Sequence, residues 1–188
     1  MTKREYLRKI ATMFDPLGLL APYILRAKLI MQDIWLSGID WDQCIESETM
    51  TKVAHWFEEV PKVEQSRVPR CIKGESQVKD MTVHAFSDAS VRAYGTVVYS
   101  RNEYENGEVS VRLIAAKSKV APMAAISIPR LELMAAILNM ELTLAVKDAL
   151  ELDISKCTFW TDRFNIMEAM AISVFLKVLK GKDIKRRD

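Results

Sequence analysis

An apolar run, Met81 to Phe86, ends two residues before an aspartate, Asp88, and this stretch constrains the fold more than any other. Apolar side chains fall on both faces of the run. That pattern predicts a strand, over 81–87, in the middle of a covered sheet. Small residues follow, and Gly95 opens another apolar run that predicts a second strand over 94–101. Asn106-Gly107 is a strong two-residue hairpin signal, so 109–116 reads as the third strand. A helix from Ser127, with Pro129 in its first turn, runs to about Leu150. Its expected buried stripe is Leu131, Ala135, Leu138, Leu142 and Val146. A fourth strand over 156–161 then joins parallel to the first. Parallel neighbours ending in Asp88 and Asp162 would bring both carboxylates to one sheet edge, where α/β folds place their sites. Glu132, one turn into the helix, would face that edge.

The first 60 residues read differently. Helical spacing over 3–13 places Tyr6, Leu7, Ile10 and Phe14 on one side. Asp15-Pro16-Leu17-Gly18 breaks the pattern. A second helix runs to about Trp35, and a third spans 48–59, ended by Pro61. His55 reads as a half-buried structural histidine rather than a ligand. The polar stretch 65–79 reads as a connector with one short strand around 68–72. Lys117, Ser118 and Lys119 fall in an expected loop, 117–126, that could face phosphate; its composition fits a solvated loop equally well.

Composition narrows the class. With 49% apolar and 28% charged residues, the chain suits a globular protein and not a disordered one. Its net charge of +2 gives no strong overall field for nucleic acid. The final segment from Arg163 is a basic tail, with 7 basic residues against 3 acidic. Three separated cysteines without CxxC spacing read as reduced thiols. Neither a signal peptide nor a membrane-spanning run is evident, so an intracellular location, cytoplasm or nucleus, is expected.

Six ordered blocks carry a resemblance: Phe14-Asp15-Pro16-Leu17-Gly18-Leu19-Leu20-Ala21-Pro22, Phe86-Ser87-Asp88-Ala89-Ser90, Ala93-Tyr94-Gly95, Ala115-Ala116-Lys117-Ser118-Lys119-Val120-Ala121-Pro122, Ile128-Pro129-Arg130-Leu131-Glu132-Leu133 and Trp160-Thr161-Asp162. Together they resemble the polymerase region of Bel/Pao LTR retrotransposons, sometimes labelled a Pao retrotransposon peptidase. The similar segment follows the reverse-transcriptase palm and leads from a connection region into ribonuclease H. No Asp-Thr/Ser-Gly triplet supports the peptidase label, and the polymerase's Tyr-x-Asp-Asp motif is absent.

The resemblance implies an α/β fold: a helical connection unit over 1–64, a linker over 65–80, an incomplete ribonuclease H-like mixed sheet with flanking helices over 81–162, and a divergent helix and basic tail over 163–188. It implies Asp88, Glu132 and Asp162 as catalytic carboxylates and metal ligands. Two hard ions, Mg²⁺ or Mn²⁺, need such oxygen ligands. Set ~4 Å apart, they activate water and stabilise the leaving 3′ oxygen in phosphodiester hydrolysis. The substrate implied is the RNA strand of an RNA–DNA hybrid, chosen through its 2′-hydroxyls. Ser90, Lys117, Lys119 and Arg130 are weaker candidates for nucleic-acid contact, and the palm and other parts of a polyprotein are the implied partners. The chain departs from the family pattern at Arg163, where a serine is usual, and past it no fourth acid is recognisable. A truncated copy with weak or absent turnover is therefore expected, and an inactive remnant that binds nucleic acid or protein is the alternative.

Overall fold

A computed structural model describes residues 1–65, 67–69, 71–74 and 76–161. Its first unit is helical: α1 (Lys3–Ala11), α2 (Ala21–Leu36), α3 (Ser47–Glu58) and the short α4 (Val60–Glu64). A capping box starts α1, with Glu5 N–H donating to Thr2 Oγ1 at 3.3 Å and Thr2 N–H to the Glu5 carboxylate at 2.8 Å. Because α1 stops at Ala11, Phe14 does not join its apolar stripe and is 89% exposed. Pro61 opens α4 instead of ending the chain's helical path, as its fixed φ suits a first turn. His55 is exposed, with Nδ1 3.7 Å from Glu59, so the half-buried role expected for it does not hold. Its neighbour Trp56 is the buried one. Trp56 stacks on Tyr23 with centroids 4.6 Å apart, and each donates to the other's backbone carbonyl.

The sheet follows: β1 (Val78–Ala89), β2 (Ala93–Tyr104), β3 (Val109–Val120) and β4 (Cys157–Trp160), in the order β3-β2-β1-β4. The first three are antiparallel neighbours, and β4 lies parallel to β1, as expected. Gly107 takes a positive φ of 83° in the β2–β3 turn, the conformation an Asn-Gly hairpin requires. No strand forms among the described residues around 68–72, and β1 starts earlier than expected, at Val78. The expected loop at 117 is also corrected. β3 continues to Val120, with Lys117 opposite Thr96 and Lys119 opposite Tyr94. Exposed lysines look like loop residues in a sequence, yet they suit an edge strand, where they discourage pairing with a further chain.

Helix α5 (Ile128–Ala149) lies across one face of the sheet. Leu131, Ala135, Leu138 and Val146 are buried as the spacing predicts, and Leu142 is half-buried. Beneath α5, Val83, Ala85, Val98 and Ala115 form the sheet's core with Val146. The opposite face of β1 is less covered than its apolar run suggests: Phe86 is 42% exposed and stacks on Trp160 of β4.

Candidate active site

Asp88 is the penultimate residue of β1, opposite Gly95 of β2. It is exposed, and its Oδ1 accepts the Ala89 N–H at 2.7 Å. Glu132 lies in α5 just past the first turn and is buried, at 7% exposure. Their chain neighbours show that they share one end of the sheet. Ala89 packs with Leu131, Tyr94, Ala121 and Ala135 in a single apolar cluster. Ala89 and Leu131, the neighbours of Asp88 and Glu132 in the chain, thus pack together at this end of the sheet, with Asp88 on the open side of β1 beside Phe86 and Glu132 buried on α5. Asp162 lies outside the described residues. Among those residues no cluster of three or more His, Cys, Asp or Glu stands together.

The weaker candidates separate by environment. Ser90 spends its hydroxyl on the β1–β2 turn: Oγ donates to the Ala93 carbonyl at 3.1 Å and accepts the Ala93 N–H at 3.2 Å. Lys117 and Lys119 are exposed, two residues apart on one face of β3. Arg130 is exposed in the first turn of α5.

Asp88, Ser90 and Lys117 border a cleft of about 830 Å³. Its other wall comes from the first unit, through Gly18, Leu19, Pro22 and Leu25, and its floor includes Phe86 and Trp160. Spacing alone marks Asp15-Pro16-Leu17-Gly18 as a helix break. In the fold this turn is a built joint. The Asp15 carboxylate accepts the Leu19 and Leu20 N–H groups at 2.9 and 2.8 Å, while Ala116 N–H donates to the Leu17 carbonyl at 2.8 Å. Gly18 has φ +72°, and a Cβ there would overlap the Ala116 carbonyl. Arg92 pairs with Asp33, and Gln32 Nε2 donates to the Ala121 carbonyl at 2.8 Å, closing the contact between helices and sheet. The signal available in the sequence was Asp followed by Pro and Gly at turn spacing, which marks a turn but not the strand it docks on.

The described residues define an α/β domain, a helical unit beside a mixed four-stranded sheet with α5 across one face. The chain belongs to the family of Pao retrotransposon-like RNaseH-like domains, whose model matches residues 2–163. The expected retroelement family and the ribonuclease H-like fold class are thus borne out. No curated protein matches the chain. A similar solved structure is that of a foamy viral protease–reverse transcriptase in complex with dsDNA, at 15% identity and a TM-score of 0.36. The match covers 85% of this chain and 41% of that one.

Proposed function

We propose that this chain is the ribonuclease H part of a retroelement polyprotein, and that it hydrolyses the RNA strand of RNA–DNA hybrids with Mg²⁺ or Mn²⁺. The observation that carries the reading is the family match, together with the placement of Asp88 at the end of β1 and Glu132 near the start of α5, next to Ala89 and Leu131 of one apolar cluster. Asp88 and Glu132 would hold the metal, together with Asp162. The parallel register supports that third ligand: Phe86 is opposite Trp160, and Asp162 follows Trp160 by the same two residues that separate Asp88 from Phe86. When bound, two such ions supply an activated water and a stabilised leaving oxygen. The chain's own part is to hold the carboxylates in place, with Glu132 shielded from water. Lys117, Lys119 and Arg130 are the cations to meet the hybrid's phosphates, and such contacts position the substrate without reading its sequence.

The domain reading is 1–64 as a connection unit, 65–80 as linker, 81–162 as the ribonuclease H-like core and 163–188 as a divergent tail. Separate apolar clusters support the first division: Tyr6, Tyr23, Ile34, Val53 and Trp56 gather in the helices, and Val83, Ala85, Val98 and Val146 in the sheet. Other parts of the polyprotein, a palm domain among them, are the proposed partners. No described helix is long and apolar enough to cross a membrane; the location proposed is intracellular.

Clustered carboxylates repel one another without metal, so a divalent ion bound to them stabilises the fold. Thermal melting with increasing Mg²⁺ tests the reading. The expected result is a rise in Tm for the natural chain and none for Asp88→Asn. Equal responses from both chains would favour the inactive remnant.

A further inference from the structure

Three polar side chains are sealed beneath α5, where apolar contacts would be cheaper. Asn139 and Thr143 are fully buried, and Thr96 is 6% exposed. The Thr96 hydroxyl lies 2.9 Å from both the Phe86 carbonyl and Asn139 Oδ1. Asn139 Nδ2 donates to the Ala85 carbonyl at 3.4 Å, and the Thr143 hydroxyl donates to Asn139 Oδ1 at 3.2 Å. One amide on α5 is therefore tied to β1 directly, and to β1 and β2 through Thr96.

The position of this node matters more than its existence. Asn139 is seven residues past Glu132, about two helical turns, so the two share a helix face. Phe86, whose carbonyl the node holds, is two residues before Asp88 on the same strand. Apart from Glu132, the other buried residues of α5 are apolar and include the small residues Ala135 and Ala136. Apolar burial is non-directional and tolerates sliding or rotation of the helix. A hydrogen-bonded amide does not, because a shift of one residue would leave buried polar groups without partners.

We propose that Asn139, with Thr96, is a positioning residue: it fixes the rotation and register of α5 on β1, and so the placement of Glu132 relative to Asp88. The metal-binding consequence rests on the nuclease reading above; the geometric claim does not.

The test uses the full chain. Replacing Thr96→Val with Asn139→Leu removes the node's link to the sheet, and the Thr143 hydroxyl can turn to the backbone carbonyl of residue 139, one turn earlier in α5. Spin labels at Val91→Cys in the β1–β2 turn and Leu133→Cys on α5, both exposed sites, report the distance between the helix and the end of the sheet once Cys44, Cys71 and Cys157 are serine. The expected result is a folded double variant with a broadened or shifted distance distribution. In the unlabelled double variant, Mn²⁺ affinity should fall about tenfold, the scale at which supporting hydrogen bonds act on metal ligands. Should the double variant not fold, Thr96→Val alone carries the same expectation in smaller measure. A folded variant with an unchanged distance distribution overturns the proposal. A natural chain that binds no Mn²⁺ overturns the nuclease reading instead, and the distances still decide the role of Asn139.

Discussion

At the scale of single residues, burial separates groups that look alike in sequence. The three cysteines are an example. Cys44 and Cys71 are exposed, whereas Cys157 packs against the sheet's core, and burial raises its thiol pKa. The thiolate is the reactive form, so alkylation at neutral pH should label Cys44 and Cys71 first and Cys157 only on unfolding. Peptide mass mapping after a short exposure to iodoacetamide checks this; early labelling of Cys157 would refute it. Gly18 is a second case. Its positive φ and its contact with the Ala116 carbonyl leave no room for a Cβ. Gly18→Ala should therefore cost more than ~1 kcal/mol in a urea unfolding series, against a gain where a glycine's conformation suits alanine. That Glu132 faces inward was legible from its place beside the apolar stripe of α5, and it is buried. Asn139 was not, since an asparagine in an apolar helix carries no sign in the sequence of which carbonyl it will meet.

At the scale of elements, β4 is the shortest of the described strands, and it pairs with β1 through four residues, Cys157–Trp160. An ion pair supports it: Lys156 Nζ lies 2.6 Å from Asp80 Oδ1, at the start of that pairing. The hydrogen bond from Lys156 holds the Asp80 carboxyl below its usual pKa. A depressed folded-state pKa gives stability that is present above the unfolded value of ~3.9 and lost as pH falls through the folded one. Both groups are near half-exposed, so the effect is small and screened by salt. Thermal melts should show Asp80→Asn slightly less stable than the natural chain at neutral pH, with the two converging in acid. A gap that persisted at low pH would argue against the ion pair as its cause. The hairpin was readable because Asn-Gly is a local signal, and the parallel β4 because a helix separates it from the strands before it. The end of β3 was not, because Lys117 and Lys119 are polar for edge protection, a reason that exists only once the sheet is assembled.

At the scale of the whole molecule, helices and sheet form separate apolar clusters joined by a polar and backbone seam along β3. Trp56 is 1% exposed at the centre of the first cluster, and Trp56→Ala should cost about 3–5 kcal/mol in urea unfolding. The helical unit also walls the cleft that holds Asp88, through the Asp15–Gly18 turn and the start of α2. That link between distant segments is a matter of docking, and no spacing rule in the sequence exposes it. The central claim is chemical, and cleavage of a hybrid tests it most directly. A labelled RNA–DNA hybrid incubated with the full chain in Mg²⁺ or Mn²⁺ should lose its RNA strand only, leaving DNA intact, with no cleavage by Asp88→Asn. Cleavage that is equal in Asp88→Asn, or absent from a natural chain shown to be folded and metal-bound, would contradict the account.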